Sequence, residues 1–150
     1  MKFRIFLLLL ILFLPSCGYE PLYSSKGQNF TIGDININGE KRLINLFKSK
    51  TERLKNESDN IYDLEVNINK TKNTISKDKK GNPSIYSLTI SVTIILKQDK
   101  KINKTKTFTQ NTSYNNMENK FDLKRQEKNL ETQLLDKIIE NFIFFTQSIS

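Results

Sequence analysis

The chain has 150 residues, enough for one domain, and carries 24 Lys and Arg against 16 Asp and Glu, a formal charge of +8. It has no histidine and one cysteine, which excludes Ser-His-Asp and Cys-His catalysis, a zinc site built from His and Cys, and an internal disulfide. We therefore expect a protein that binds or anchors, not an enzyme, and we expect no cofactor.

A targeting signal opens the chain. Lys2 and Arg4 precede an apolar run from Ile5 to Leu14, which is shorter than the roughly 20 residues of a membrane span. The sole cysteine ends the segment Leu14-Pro15-Ser16-Cys17, which resembles the bacterial lipobox. We predict a lipoprotein signal peptide at residues 1–16 and lipidation of Cys17, with a diacylglycerol on its thiol and an acyl chain on its amine. An ordinary cleaved signal peptide and a buried free cysteine are the alternatives.

Residues 17–28 are predicted to be a lipidated tether, because they are rich in Gly, Pro and Ser and have little periodicity. The single α+β domain is predicted to span residues 29–150. Its first strand holds Phe30, Ile32, Ile35 and Ile37, whose alternation shifts register at Gly33-Asp34, the place for a β-bulge.

A helix is predicted between residues 38 and 56, where apolar side chains recur every three or four positions. Alternation from Tyr62 to Ile68 then predicts a half-buried strand. The polar segment from Lys70 to Pro83 predicts either a long hairpin or a mobile loop.

The clearest strand runs from Tyr86 to Leu96, with aliphatic side chains on one face and hydroxyls on the other. A turn leads to a fourth strand from Ile102 to about Gln110, and these three strands predict an antiparallel meander. From residue 116 to 147 the spacing becomes helical, although Glu127 interrupts the apolar stripe. The predicted fold is α+β, with a four-stranded, mostly antiparallel sheet, two helices packed on one face, and the order β-α-β-β-β-α.

The uncovered face of the sheet is expected to present hydroxyls. It is either a solvated surface or one that lies against a large partner or a polar ligand. The positions taken as candidate partner contacts are Thr89, Ser91, Thr93, Thr105 and Thr107.

Basic residues gather on the predicted connections, where they would attract phosphorylated ligands. The alternative explanation is a chain that uses lysine and asparagine as general surface residues. Nucleic acid is not an expected partner, because aromatic residues do not alternate with the lysines. The candidate phosphate contacts are Lys70, Lys72, Lys77, Lys79, Lys80, Lys97, Lys100 and Lys101.

The segment Cys17-Gly18-Tyr19-Glu20-Pro21-Leu22-Tyr23 resembles the start of the LPS-assembly lipoproteins. In that family the anchor cysteine is followed by Gly, an aromatic residue, one variable residue and Pro-Leu-Tyr. Tyr114-Asn115 is also similar to the family's usual approach to its C-terminal helix. Gly18 stands where many inner-membrane lipoproteins have a retaining aspartate, so the resemblance favours the outer membrane.

The resemblance implies a lipoprotein of the cell outer membrane that plugs a large β-barrel subunit of the lipopolysaccharide translocon, helps that barrel assemble, and assists lipopolysaccharide delivery to the outer leaflet. The candidate partner contacts would then face the barrel, and the candidate phosphate contacts would meet lipopolysaccharide. The alternative is a lipoprotein that scaffolds another envelope complex. A hydrolase that uses two carboxylates is a third possibility, with no supporting motif around Asp34, Asp63, Glu65 or Asp99.

Overall fold

The computed structural model describes residues 31–52 and 61–147, so the predicted signal peptide, Cys17, the tether and the start of the domain at residue 29 lie outside the described residues. The elements follow the predicted order β-α-β-β-β-α, and the α+β class is confirmed. In chain order they are β1 (Thr31–Asn38), α1 (Lys41–Thr51), β2 (Ile61–Lys77), β3 (Pro83–Gln98), β4 (Lys101–Asn115) and α2 (Lys120–Gln147).

The four strands form one sheet in the order β1-β2-β3-β4. β1 pairs with β2 in parallel, while β2, β3 and β4 form the predicted antiparallel meander. Of the two structures predicted for the segment from Lys70 to Pro83, the hairpin is confirmed, because Lys70–Lys77 continues β2 and pairs with β3. β4 extends five residues beyond the predicted end, to Asn115. In both segments the strands remain paired through their backbones. Few of their side chains are buried, so the sequence shows no apolar alternation that would predict a strand.

The predicted bulge in β1 is confirmed by a register shift between Ile32 and Ile35. The Asp63 carboxylate on β2 stabilises it by accepting the backbone N–H of Asp34 at 3.0 Å. A Cβ at Gly33 would lie only 2.7 Å from Asp63 Oδ1 and 2.9 Å from Ile61 Cγ2, so any larger residue would force these side chains to shift.

The hydrophobic core lies between one face of the sheet and the two helices. β3 contributes the predicted aliphatic row, and α2 contributes its apolar stripe. Phe108 of β4 packs edge-on against Phe142 and Phe145 of α2, with ring centroids 6.3 and 5.9 Å apart. Each fully buried aliphatic or aromatic side chain contributes about 1.5–3 kcal/mol, so this layer provides most of the driving force for folding.

Helix α2 begins at Lys120, four residues later than the spacing indicated. Asn119 caps it, because its side-chain oxygen accepts the backbone N–H groups of Phe121 and Asp122 at 2.9 and 3.4 Å. The preceding Asn116 is bound to the start of β3 through its backbone N–H to Ser84 and its side chain to Pro83. The helix therefore starts at the end of the sheet that carries the β2–β3 turn.

Candidate interaction surfaces

The face of the sheet opposite the helices carries twelve neutral polar side chains in four rows across β2, β3 and β4. We call these twelve residues the neutral face. Each row is read directly from the strand register: Asn67-Thr93-Thr107, Asn69-Ser91-Thr109, Thr71-Thr89-Asn111 and Asn73-Ser87-Ser113. With strands about 4.8 Å apart and same-face residues about 6.7 Å apart, the Cα positions span roughly 20 by 10 Å.

Hydrogen bonds between strands order the centre of the neutral face. The hydroxyls of Ser91 and Thr109 lie 2.8 Å apart, and those of Thr93 and Thr107 lie 2.9 Å apart. Asn38 of β1 donates from its side chain to Asn67 at 3.3 Å, which extends the polar surface onto a fourth strand. The four members on β3 are half-buried, and the eight members on β2 and β4 are exposed.

No charged residue stands among these twelve positions, although charged residues make up 27% of the chain. The ion pairs within the described residues lie on the helix side of the sheet or among the helices, except the pair formed by Lys97 and Glu65 at one end of the open face. Charge is thus absent from an area where a solvated sheet would tolerate it.

Of the five candidate partner contacts, four belong to the neutral face: Thr89, Ser91, Thr93 and Thr107. Thr105 lies in the next row, beside Ile95 and Glu65. The β2 members and the residues beyond Gln110 were missed by sequence reasoning. The alternation of asparagines in β2 was the available signal, but the register that places them beside the β3 hydroxyls is a tertiary property.

The eight candidate phosphate contacts are not brought together. Lys77, Lys79 and Lys80 lie at the β2–β3 turn, whereas Lys100 and Lys101 lie at the β3–β4 turn. These turns flank opposite ends of β3, which has 16 residues and is therefore roughly 50 Å long. The sheet carries two separate cationic ends.

The β2–β3 turn is ordered by Asp78. Its carboxylate accepts the backbone N–H groups of Asn82 and Lys80, each at 2.8 Å. These hydrogen bonds, with that of Asn82 the largest contribution, lower the pKa of Asp78 below its usual value. The turn presents its lysines on a defined backbone.

Lys70, Lys72 and Lys97 make ion pairs inside the domain. Lys70 contacts Glu40 and, at 2.9 Å, Glu131, which also accepts Arg42 of α1. Burial opposes the charge of Lys70, but its hydrogen bonds to Glu40 and Glu131 outweigh burial and raise its pKa. Lys97 contacts Glu65 at 2.5 Å. These lysines join elements of the fold, and their charges are largely neutralised.

Glu127 interrupts the apolar stripe of α2 because it faces polar partners on the sheet. Its Oε1 accepts Lys72 at 2.5 Å and the hydroxyl of Tyr114 at 2.7 Å. Lys72 also lies 3.9 Å from the ring centre of Tyr86. Burial would raise the pKa of Glu127, but the hydrogen bonds from Lys72 and Tyr114 outweigh it and lower the pKa. Burial and Glu127 raise the pKa of Tyr114.

The four carboxylates considered for hydrolysis have structural surroundings. Asp63 accepts a hydrogen bond from the backbone N–H of Asp34, which lies in the β1 bulge, and Glu65 pairs with Lys97. Asp99 lies in the β3–β4 turn. Across residues 31–52 and 61–147, no three Asp, Glu, Cys or His side chains are grouped so that they could hold a metal ion. Neither helix in this part of the chain is both long and apolar enough to span a membrane.

Comparison with known proteins finds no matching family model and no matching curated protein. Solved structures do match. Rare lipoprotein B from Shewanella oneidensis has a TM-score of 0.59 at 14% identity over 79% of this chain and 98% of its own. A minor lipoprotein from Acinetobacter baumannii has a TM-score of 0.60 at 14% identity over 81% and 92%, respectively. A lipoprotein from Caulobacter crescentus has a TM-score of 0.58 at 10% identity over 86% and 94%. The chain therefore has the fold of these solved bacterial lipoproteins.

Proposed function

We propose that this protein is an outer-membrane lipoprotein, anchored through Cys17, that plugs a large β-barrel partner, helps it assemble, and assists delivery of lipopolysaccharide to the outer leaflet. The lipobox-like segment and the following Gly-Tyr-Glu-Pro-Leu-Tyr support the anchor and the family. The shared fold with rare lipoprotein B supports a lipoprotein of the cell envelope. In this proposal the protein has no catalytic role.

The neutral face is the observation that carries the proposal. A charge that is covered by a partner loses its hydration and must be paired, so charged residues are depleted at the centre of interfaces. A face without charge in a strongly charged chain is therefore best explained as a surface that is covered in the assembly. Hydroxyl and amide side chains can exchange hydrogen bonds with the polar interior of a transmembrane barrel.

Lipopolysaccharide contact is assigned to Lys77, Lys79 and Lys80. They share one ordered turn, are exposed, and form no ion pair with another described residue. Ammonium groups at this turn would bind lipid A phosphates and displace the divalent cations that bridge neighbouring lipopolysaccharide molecules.

The barrel contact is tested by affinity purification from detergent-solubilised envelopes, with Asn69→Lys and Asn129→Lys as a matched pair. Asn69 lies in the neutral face and Asn129 is exposed on α2, so the two variants add the same charge. We expect one barrel protein to co-purify in fixed ratio with the wild type and with N129K. An unpaired buried charge costs about 2–5 kcal/mol, so N69K should weaken the complex at least about 30-fold.

Two results would reject this assignment. Equal recovery of the barrel with N69K and N129K would mean that the neutral face is not the contact. A fixed-ratio partner that is not a barrel would support the scaffolding alternative. For the lipopolysaccharide step, replacing the three turn lysines by Ser should reduce binding of purified lipopolysaccharide, and unchanged binding would remove that step.

A further inference from the structure

A second surface lies at the opposite end of the sheet from Lys77, Lys79 and Lys80. Thr31, the first described residue, pairs with Ile61 at this end, and the β3–β4 turn is at the same end because Asp63 pairs with Lys97. Thirteen residues separate Cys17 from Thr31 in the sequence, a reach of at most about 50 Å. The sheet itself is about that long. A lipid on Cys17 would therefore keep this end within about 50 Å of the bilayer, while the opposite end could lie up to a further sheet length away.

Exposed apolar groups and cations occur together at this end. Ile102 is 65% exposed and Ile61 is 55% exposed, and both are on the open face of the sheet. Lys100 and Lys101 immediately precede Ile102 at the turn, whereas Lys104, which pairs with the core residue Leu96, lies on the helix side of the sheet. All three lysines are exposed and form no ion pair to any residue in the described ranges. Strand β4 contains no acidic residue.

The acidic groups nearby leave these lysines unneutralised. Asp63 is engaged with the backbone of β1, and Glu65 pairs with Lys97. Asp99 is the one acidic residue in the turn sequence between β3 and β4. The turn and the first part of β4 therefore keep a local positive charge around an exposed isoleucine.

The backbone conformation of the β3–β4 turn indicates that a lysine is kept there at a cost in stability. Asp99 and Lys100 have φ values of 52° and 63°, in the left-handed region. Two-residue hairpin turns of this kind favour Asn or Asp followed by Gly, because residues other than Gly, Asn and Asp are strained in the left-handed region by about 1–2 kcal/mol. Lysine at the second position maintains a cation at the tip of the hairpin at the expense of stability.

We propose that the β3–β4 turn and the first half of β4, residues 99–106, form a membrane-contact surface that docks on an anionic glycerophospholipid bilayer. Ile102 enters the headgroup region, while Lys100, Lys101 and Lys104 pair with lipid phosphates. This inference rests on the lipid anchor of the proposed function and concerns a different surface from the neutral face and from the turn that carries Lys77, Lys79 and Lys80. The contact would fix the orientation of the domain relative to the membrane.

The test places an environment-sensitive fluorophore on the acylated protein in phosphatidylglycerol vesicles that carry a nitroxide lipid quencher. Ile102→Cys and, as the control at the far turn, Lys79→Cys each introduce the one reactive thiol, because the thiol of lipidated Cys17 is alkylated by the diacylglycerol. We expect quenching at position 102 and little at position 79. Quenching should weaken between about 0.1 and 1 M salt, where the Debye length falls from about 10 to 3 Å.

Charge-matched triple variants then test the lysines. Replacing Lys100, Lys101 and Lys104 by Ser should reduce quenching at position 102 to the level at position 79, whereas the same change at Lys77, Lys79 and Lys80 should leave it intact. Equal exposure of both probes to solvent in vesicle-bound protein would overturn the proposal. Quenching only when lipopolysaccharide replaces phosphatidylglycerol would overturn its choice of lipid. Protein that fails to float with vesicles and keeps a reactive Cys17 would instead refute the anchor.

Discussion

Removing the carboxylate of Glu131 is expected to destabilise the domain. Glu131 has a side-chain exposure of only 8% and accepts hydrogen bonds from Arg42 of α1 and Lys70 of β2. It therefore joins both helices and the sheet at one point. Arg42 also donates to the carbonyl of Lys128 at 2.7 Å and to Thr132 at 3.1 Å, and Lys70 also contacts Glu40.

The size of the loss in stability depends on which partners Arg42 and Lys70 keep after the substitution. In Glu131→Ala both cations lose a charged acceptor but keep other partners. Loss of two charge-assisted hydrogen bonds at partly exposed donors should lower the free energy of unfolding by about 2–4 kcal/mol. Glu131→Gln keeps one acceptor, so its loss should be about half as large. A double-mutant cycle with Arg42→Ala separates the coupling between the two side chains.

Urea denaturation followed by circular dichroism measures these losses. With a slope of about 1.5 kcal/mol/M, a loss of 3 kcal/mol lowers the midpoint by roughly 2 M. Glu118→Ala, at an exposed position before α2, is the matched control and should change stability by less than about 0.5 kcal/mol. A Glu131→Ala midpoint within error of the control would refute the argument that this carboxylate joins the helices to the sheet.

Three further changes test other features. Gly33→Ala should destabilise the domain by about 1–3 kcal/mol, because its Cβ would contact Asp63 Oδ1 and the Cγ2 of Ile61; unchanged thermal stability would contradict this. Lys100→Gly should stabilise the β3–β4 turn by about 1 kcal/mol, measured by urea midpoint, and no gain would mean that the left-handed backbone is unstrained. Glu127 has a lowered pKa in the folded state, so its contribution is complete above the unfolded value of 4.5 and is lost as pH falls through the folded pKa. Glu127→Gln should therefore flatten the loss of stability in that acidic range, and an unaltered pH profile would contradict this.

Periodicity in the sequence was sufficient for the order of the elements, because each predicted strand or helix has one apolar face that the core requires. The β1 bulge was also predictable, since alternation shifts at Gly33-Asp34. The outer halves of β2 and β4 could not be predicted, because their side chains are polar on both faces. These segments are strands only through backbone pairing, which the sequence does not show. The partners of Glu127 could not be predicted either, since Lys72 and Tyr114 reach it only through the packing of α2 on the sheet.

The candidate surfaces were predicted in part. Alternating hydroxyls in β3 and β4 indicated a polar face, but its width depends on the register with β2. The lysine clusters were visible in the sequence, whereas their separation to opposite ends of the sheet follows from hairpin topology. Pairing of Lys70, Lys72 and Lys97 with carboxylates distant in sequence had no local signature.

The parallel alignment of β1 with β2 has a mechanical consequence. Thr31 lies at the end of the sheet, so tension applied there along the strand axis pulls β1 lengthwise past β2. The slanted, evenly spaced hydrogen bonds of the parallel ladder are then loaded together instead of being opened one after another. A domain held at its far side and pulled from residue 31 would therefore resist extraction in shear, the stronger of the two loading geometries for a β-ladder.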